Sequence, residues 1–91
     1  MSYKITRTDK YFKKLIKLLK KNPTMQGKYF KTIKLLETNP HHPSLRLHKL
    51  QGNLKEYYSV SINLQYRIVL DFIVTEKEII LFDIGTHGEV Y

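Results

Sequence analysis

An imidazole and a phenol stand four residues apart in Ile84-Gly85-Thr86-His87-Gly88-Glu89-Val90-Tyr91, in a chain with sixteen Lys and Arg against eight acids. A surface with a formal charge of +8 attracts a polyanion, such as nucleic acid, a ribonucleoprotein or an acidic protein. A group titrating near neutrality beside that surface can move protons on what the surface holds. The cations are not spread evenly. Lys10, Lys13, Lys14, Lys17, Lys20 and Lys21 fall in one short stretch, and Lys28, Lys31 and Lys34 follow at helical spacing.

Other chemistries are excluded by what the chain lacks. Without Cys there is no disulfide, thiolate nucleophile or thiolate metal site. His41 and His42 are adjacent between prolines rather than four apart on a helix, a pattern of an exposed loop and not of a metal site. No glycine-rich phosphate loop occurs, and no Ser/His/acid context supports a protein nucleophile. No cofactor is expected. The 91 residues suffice for one domain with a single modest core, and no run approaches the roughly 20 apolar residues of a membrane span. With no apolar leader near Met1, a cytoplasmic protein without membrane contact is expected.

The elements that must position these groups follow from periodicity. Tyr3 to Arg7 alternates as a short strand does, and Thr8 or Asp9 can cap a helix over 9–21. Phe12, Leu15, Ile16 and Leu19 give that helix its apolar stripe. Asn22-Pro23 stops it, Thr24 is placed to cap a second helix, and Met25, Tyr29, Ile33 and Leu36 share a face of that helix up to about Glu37. Beyond Asn39-Pro40-His41-His42-Pro43 the period becomes two. Leu45 and Leu47 alternate with Arg46 and His48, Gly52-Asn53 supplies a turn, and Tyr58, Val60 and Ile62 point opposite to Tyr57, Ser59 and Ser61. Asn63-Leu64-Gln65 reverses the chain into Tyr66, Ile68, Leu70 and Phe72, with Arg67 on the other face. Thr75-Glu76-Lys77 turns into a last strand from Glu78 to Ile84, apolar on both faces and so central or helix-covered. Short links force consecutive strands to be antiparallel. The expected architecture is α+β: a strand and helix hairpin on one face of a small antiparallel sheet, in the order βααββββ.

The run Leu47-His48-Lys49-Leu50-Gln51-Gly52-Asn53-Leu54, then Tyr57-Tyr58-Ser59-Val60-Ser61-Ile62-Asn63 and Tyr66-Arg67-Ile68-Val69-Leu70, resembles the central strands of the RelE/ParE toxin superfamily. The Gly85-Thr86-His87 ending resembles its YafQ-like branch, and the preceding helix hairpin extends the likeness over essentially the whole chain. The resemblance implies the toxin of a toxin–antitoxin pair, a ribosome-dependent mRNA endonuclease that works without metal. In such enzymes the RNA 2′-hydroxyl attacks the adjacent phosphate. The reaction needs a base for the 2′-hydroxyl proton, an acid for the 5′-oxygen leaving group and a cation for the dianionic phosphorane.

On that resemblance His48 takes the position of the general base, Arg67 that of the phosphate-gripping arginine and His87 that of the general acid. Arg46 and Lys49 are the accompanying substrate-binding cations, and Tyr91 matches an aromatic that stacks on a base or orients the phosphate. Ser61, Gln65 and Asp83 stand where YafQ-like toxins carry histidine, aspartate and arginine. Asp83 is expected to pair with Arg67 or to orient His87. The implied partners are a cognate antitoxin, the ribosome and mRNA. Alternative readings are a ParE-like DNA gyrase inhibitor and a degenerate toxin that only binds its antitoxin.

Overall fold

Thr8 starts the first helix: its Oγ1 accepts from the Tyr11 N–H at 3.2 Å, with Asp9 in the first turn and Lys20 and Lys21 in the last, each complementing the helix dipole. In a computed structural model, which describes residues 2–51, 57–73 and 76–90, this helix is α1 (Asp9–Lys21). It follows β1 (Lys4–Arg7) and precedes α2 (Gln26–Thr38). Then come β2 (His48–Lys49), β3 (Tyr58–Ser61), β4 (Tyr66–Ile73), β5 (Glu78–Thr86) and a terminal helical turn, α3 (His87–Val90). The expected turn at Gly52-Asn53, Leu54 of the motif, Thr75 and Tyr91 lie outside the described residues.

The stripe of α1 differs from the one expected. Tyr11 and Leu15 are buried and Leu18 and Leu19 pack beside them, while Phe12 and Ile16 are 52% and 42% exposed. The helix is turned because Tyr11 can be buried whole: its hydroxyl meets that of Tyr29 on α2 at 2.9 Å, satisfying the polar end of a large apolar ring. The face of α2 is as expected, with Met25, Tyr29, Ile33 and Leu36 all buried. Thr24 does not cap it. Pro23–Met25 forms a 3₁₀ turn that leads into α2 with no side-chain cap.

A second 3₁₀ turn, Pro43–Leu45, replaces the start of the expected third-segment strand and shortens β2 to two residues. His42 Nδ1 accepts from the Ser44 N–H at 3.2 Å to open that turn, and Arg46 ends it at φ 51°, in the left-handed region. The face assignments survive the shortening. Leu45 and Leu47 join the core under the helices, and Leu50 packs on the opposite side.

The sheet runs β1-β5-β4-β3-β2. Strands β2 to β5 are antiparallel, as their short links require, but β1 lies parallel to β5, from Lys4 opposite Glu78 to Arg7 opposite Leu81. The sheet is therefore mixed rather than wholly antiparallel. The short-link rule constrains only neighbours in sequence, and the whole helix hairpin intervenes after β1. Strand β5 is interior, between β1 and β4, as its two apolar faces suggested. The Asn63 side chain makes the β3–β4 reversal, its Oδ1 accepting from the Gln65 and Tyr66 N–H groups at 2.9 and 2.8 Å.

One irregularity decides what β5 shows on each face. Pairing jumps from Leu70 opposite Leu81 to Val69 opposite Asp83, leaving Phe82 as the extra residue of a bulge. Leu81 and Ile84, three apart, are thereby both buried in the core. Asp83, which strict alternation from Leu81 would send into that core, is set opposite Val69 instead.

Candidate active site

Directly opposed residues of neighbouring antiparallel strands project from the same face. His48 opposes Ser59, Ser59 opposes Val69, and Val69 opposes Asp83. In the adjoining row Ser61 opposes Arg67, and Arg67 opposes Gly85. His48 and Arg67 thus share the face turned away from α1 and α2, from two strands separated by β3. Lys49 does not join them. It opposes Tyr58, a residue packed against the main core, so alternation places it on the other face of the edge strand.

The terminal turn folds over this same face. Val90 packs with Leu50, Val69 and Tyr57 in a small second apolar cluster. Gly85 makes the approach possible, since a Cβ there would lie 3.2 Å from Glu89 Cβ and 3.3 Å from Val90 Cγ1. The Thr86 N–H donates to Glu89 Oε1 at 2.8 Å, the reach-back half of a Thr-x-x-Glu capping box. That hydrogen bond holds the Glu89 carboxyl below the usual carboxylate range. His87, exposed, is the first residue of the turn so fixed. The Thr86-His87-Gly88-Glu89 spacing carried this signal in the sequence, and the sequence reading missed it.

The local chemistry of the two sheet residues is well defined. A ring nitrogen of His48, Nδ1, lies 3.0 Å from the Arg46 carbonyl oxygen. A carbonyl only accepts, so Nδ1 carries the hydrogen, and in the neutral ring Nε2 keeps its lone pair. Arg67 donates from Nη1 to Ser61 Oγ at 3.1 Å, and among the described residues no carboxylate pairs with it. Asp83 instead accepts from Lys14 Nζ of α1 at 2.5 Å and from the Ile84 N–H at 2.9 Å. The expected Arg67–Asp83 pair is therefore absent: the bulge and the position of α1 give Asp83 a different cation. Arg46 and Arg67 line one hollow of about 200 Å³ at the end of the β3–β4 hairpin. Tyr91 lies outside the described residues.

Among the described residues no three His, Cys, Asp or Glu side chains are grouped so as to hold a metal ion, and no helix is long and apolar enough to cross a membrane. The arrangement offers an oriented imidazole, a guanidinium bonded to a neutral hydroxyl and a second imidazole on a capped turn. Those groups suit proton transfer and anion binding.

Comparison with known proteins bears on the whole chain. No curated protein sequence matches it. The crystal structure of YafQ from E. coli strain BL21(DE3) superposes with a TM-score of 0.80 at 20% identity, covering 98% of each chain. YafQ in the E. coli DinJ-YafQ toxin-antitoxin complex gives 0.79 at 22% identity, over 100% of this chain and 99% of that one. A YoeB/ParE toxin from Agrobacterium tumefaciens gives 0.77 at 17% identity, over 92% and 98%. These likenesses establish a shared α+β fold of the RelE type. The family model for YafQ, the bacterial toxin of a type II toxin-antitoxin system, matches residues 3–91. With a match of that extent, the chain belongs to the YafQ family of type II toxin–antitoxin toxins.

Proposed function

We propose that this toxin is a ribosome-dependent mRNA endonuclease that cleaves by 2′-hydroxyl attack on the adjacent phosphate, using its own side chains and no metal. The observation that carries the reading is the shared sheet face: His48 and Arg67 lie on it, and the turn bearing His87 folds over it. His48 Nε2 accepts the 2′-hydroxyl proton while its Nδ1–H, bonded to the Arg46 carbonyl, fixes the ring. As the 2′-oxygen bonds to phosphorus, Arg67 exchanges its contact with Ser61 for the nonbridging oxygens of the phosphorane. His87, protonated, gives its proton to the departing 5′-oxygen, and the RNA is left with a 2′,3′-cyclic phosphate. Arg46 holds the strand near Arg67, Tyr91 stacks on a base, and Lys49 binds from the opposite face of the edge strand.

The lysine-rich α1 docks on ribosomal RNA, an attachment that weakens with salt. A cognate antitoxin covers the helices. The similar solved structures include the DinJ-YafQ complex and a YoeB-YefM complex from Staphylococcus aureus, and here Phe12, Ile16 and Phe30 are exposed among the lysines, where an acidic, apolar segment can seat. The chain acts in the cytoplasm, where ribosomes are.

Toe-printing of a translated mRNA tests the reading. Ribosome-dependent cuts are expected with the unaltered protein and are expected to fall by about 10²-fold or more in His87→Ala and in Arg67→Ala. His48→Ala loses cutting but keeps ribosome binding, because one imidazole adds little to the electrostatic attachment. Cuts that survive the His87 and Arg67 substitutions remove the assigned site. No cuts, with gyrase-dependent DNA breaks in their place, establish a ParE-like inhibitor instead.

A further inference from the structure

The hollow that Arg67 shares with Arg46 has a third cation, from an element the proposed chemistry does not use. Lys28, in the first turn of α2, lines it, together with Ser44 from the 3₁₀ turn and Ser61 and Asn63 from the end of β3 and its reversal. Three cations thus converge from a helix, a left-handed turn residue and a strand on a space of about 200 Å³, with no acid in its wall. Among the described residues none of the three is paired with a carboxylate. Gathering like charges without counter-charge is unfavourable in the free protein, and an anion seated there relieves it. The two hydroxyls and the Asn63 side chain add neutral polar groups around the same space.

We propose that this hollow is a second phosphate subsite, holding a phosphodiester that neighbours the scissile one, with Lys28 as a substrate-binding residue supplied by α2. The inference rests on the reading of the chain as an RNA-cleaving toxin and extends it from one phosphate to two. Arg67 is the shared wall: its guanidinium faces the scissile phosphate on the sheet and the neighbouring phosphate in the hollow. Because His48 is bonded to the carbonyl of Arg46, a phosphate drawn onto Arg46 also steadies the imidazole. Strand position and base orientation are thereby coupled through one residue.

The test reads binding rather than cutting, so it does not depend on catalysis. A single-stranded oligonucleotide of 2′-deoxy nucleotides, which lacks the attacking hydroxyl, is titrated by fluorescence anisotropy against the unaltered chain, Lys28→Ala, Arg46→Ala and, as a control for bulk charge, Lys20→Ala. Lys28→Ala is expected to weaken binding about 3- to 10-fold and to reduce the salt slope by about 0.7, the contribution of one phosphate contact on a single strand. Replacing each phosphate in turn by an uncharged methylphosphonate is expected to reveal one position where the loss from Lys28→Ala vanishes. That coupling supports the subsite whether or not the toe-printing shows cuts. Equal losses in Lys28→Ala and Lys20→Ala, with no coupling at any phosphate, overturn the subsite and leave the nuclease reading standing on its own test.

Discussion

The two faces of the sheet are built differently. Toward the helices lies a continuous core that includes Tyr11, Tyr29, Leu36, Ile68, Leu70, Ile79, Leu81 and Ile84, each at most 1% exposed. On the opposite face the apolar material includes Leu50, Val69 and Val90 with Tyr57 beside them; Arg67, His48 and Ser61 share that face, and Ser59 is buried within it. One face supplies the stability and the other spends little of its area on packing. The consequence is a closely packed floor under a site whose roof, α3, is held by contacts that include the Val90 side chain, the close approach to Gly85 and the Glu89 carboxylate.

The sharpest way to break this contrast is Leu36→Ala. The side chain is fully buried, and its loss is expected to cost about 2–5 kcal/mol in denaturant unfolding. A value under about 1 kcal/mol would mean that the helix side is not the seat of stability. Gly85→Ala tests the roof. Its Cβ meets Glu89 and Val90 at 3.2–3.3 Å, so α3 must shift, with an expected destabilisation of about 1–3 kcal/mol and a larger fractional loss of mRNA cutting than of ribosome binding.

Tyr11→Phe tests the core's buried polar pair at lower cost. It removes one hydrogen bond, worth about 0.5–1.5 kcal/mol, and leaves the Tyr29 hydroxyl with the Arg7 Nε–H at 3.4 Å. It has a pH signature as well. Burial, with the Tyr29 hydroxyl next, pushes the Tyr11 phenol far above its ordinary range. The folded state therefore keeps it neutral where the unfolded chain ionises, and stability declines as pH rises above about 10. That decline is shallower in the phenylalanine variant.

The smallest effect is the most local. Glu89 has a depressed carboxyl pKa because of the Thr86 N–H, so its capping contribution is present above the unfolded carboxylate value and is lost as pH falls through the folded one. Amide and methyl NMR signals of Thr86 and Val90 are expected to shift on acidification through the lowered Glu89 pKa, with Glu89→Gln abolishing the transition. Signals that move identically in both proteins would assign the transition to another carboxylate.

Several parts of this molecule were legible because they are written locally. Thr8 and Asn22-Pro23 bound α1, the face of α2 repeats at helical spacing, and Asn63 marks the reversal into β4. The opposite parity of Arg67 to Ile68 and Leu70 followed from alternation alone, and the family followed from the order of several weak motifs along the chain. The stripe of α1 was misread because a tyrosine counts as polar until a partner for its hydroxyl is known, and that partner, Tyr29, lies on another helix.

The sequence by itself determined the two long helices and the bounds of α1, the antiparallel strands β3 to β5, the excess of cations and the residues able to move protons, because these depend on neighbours a few positions away. Tertiary structure alone decided that β1 runs parallel to β5, that Phe82 bulges, that Asp83 answers Lys14 rather than Arg67, and that Lys28 lines one hollow with Arg46 and Arg67. Each of those joins residues at least 18 apart in the chain or depends on strand register. Periodicity fixes which way a side chain points from its own element but carries no information on what the next layer brings to meet it.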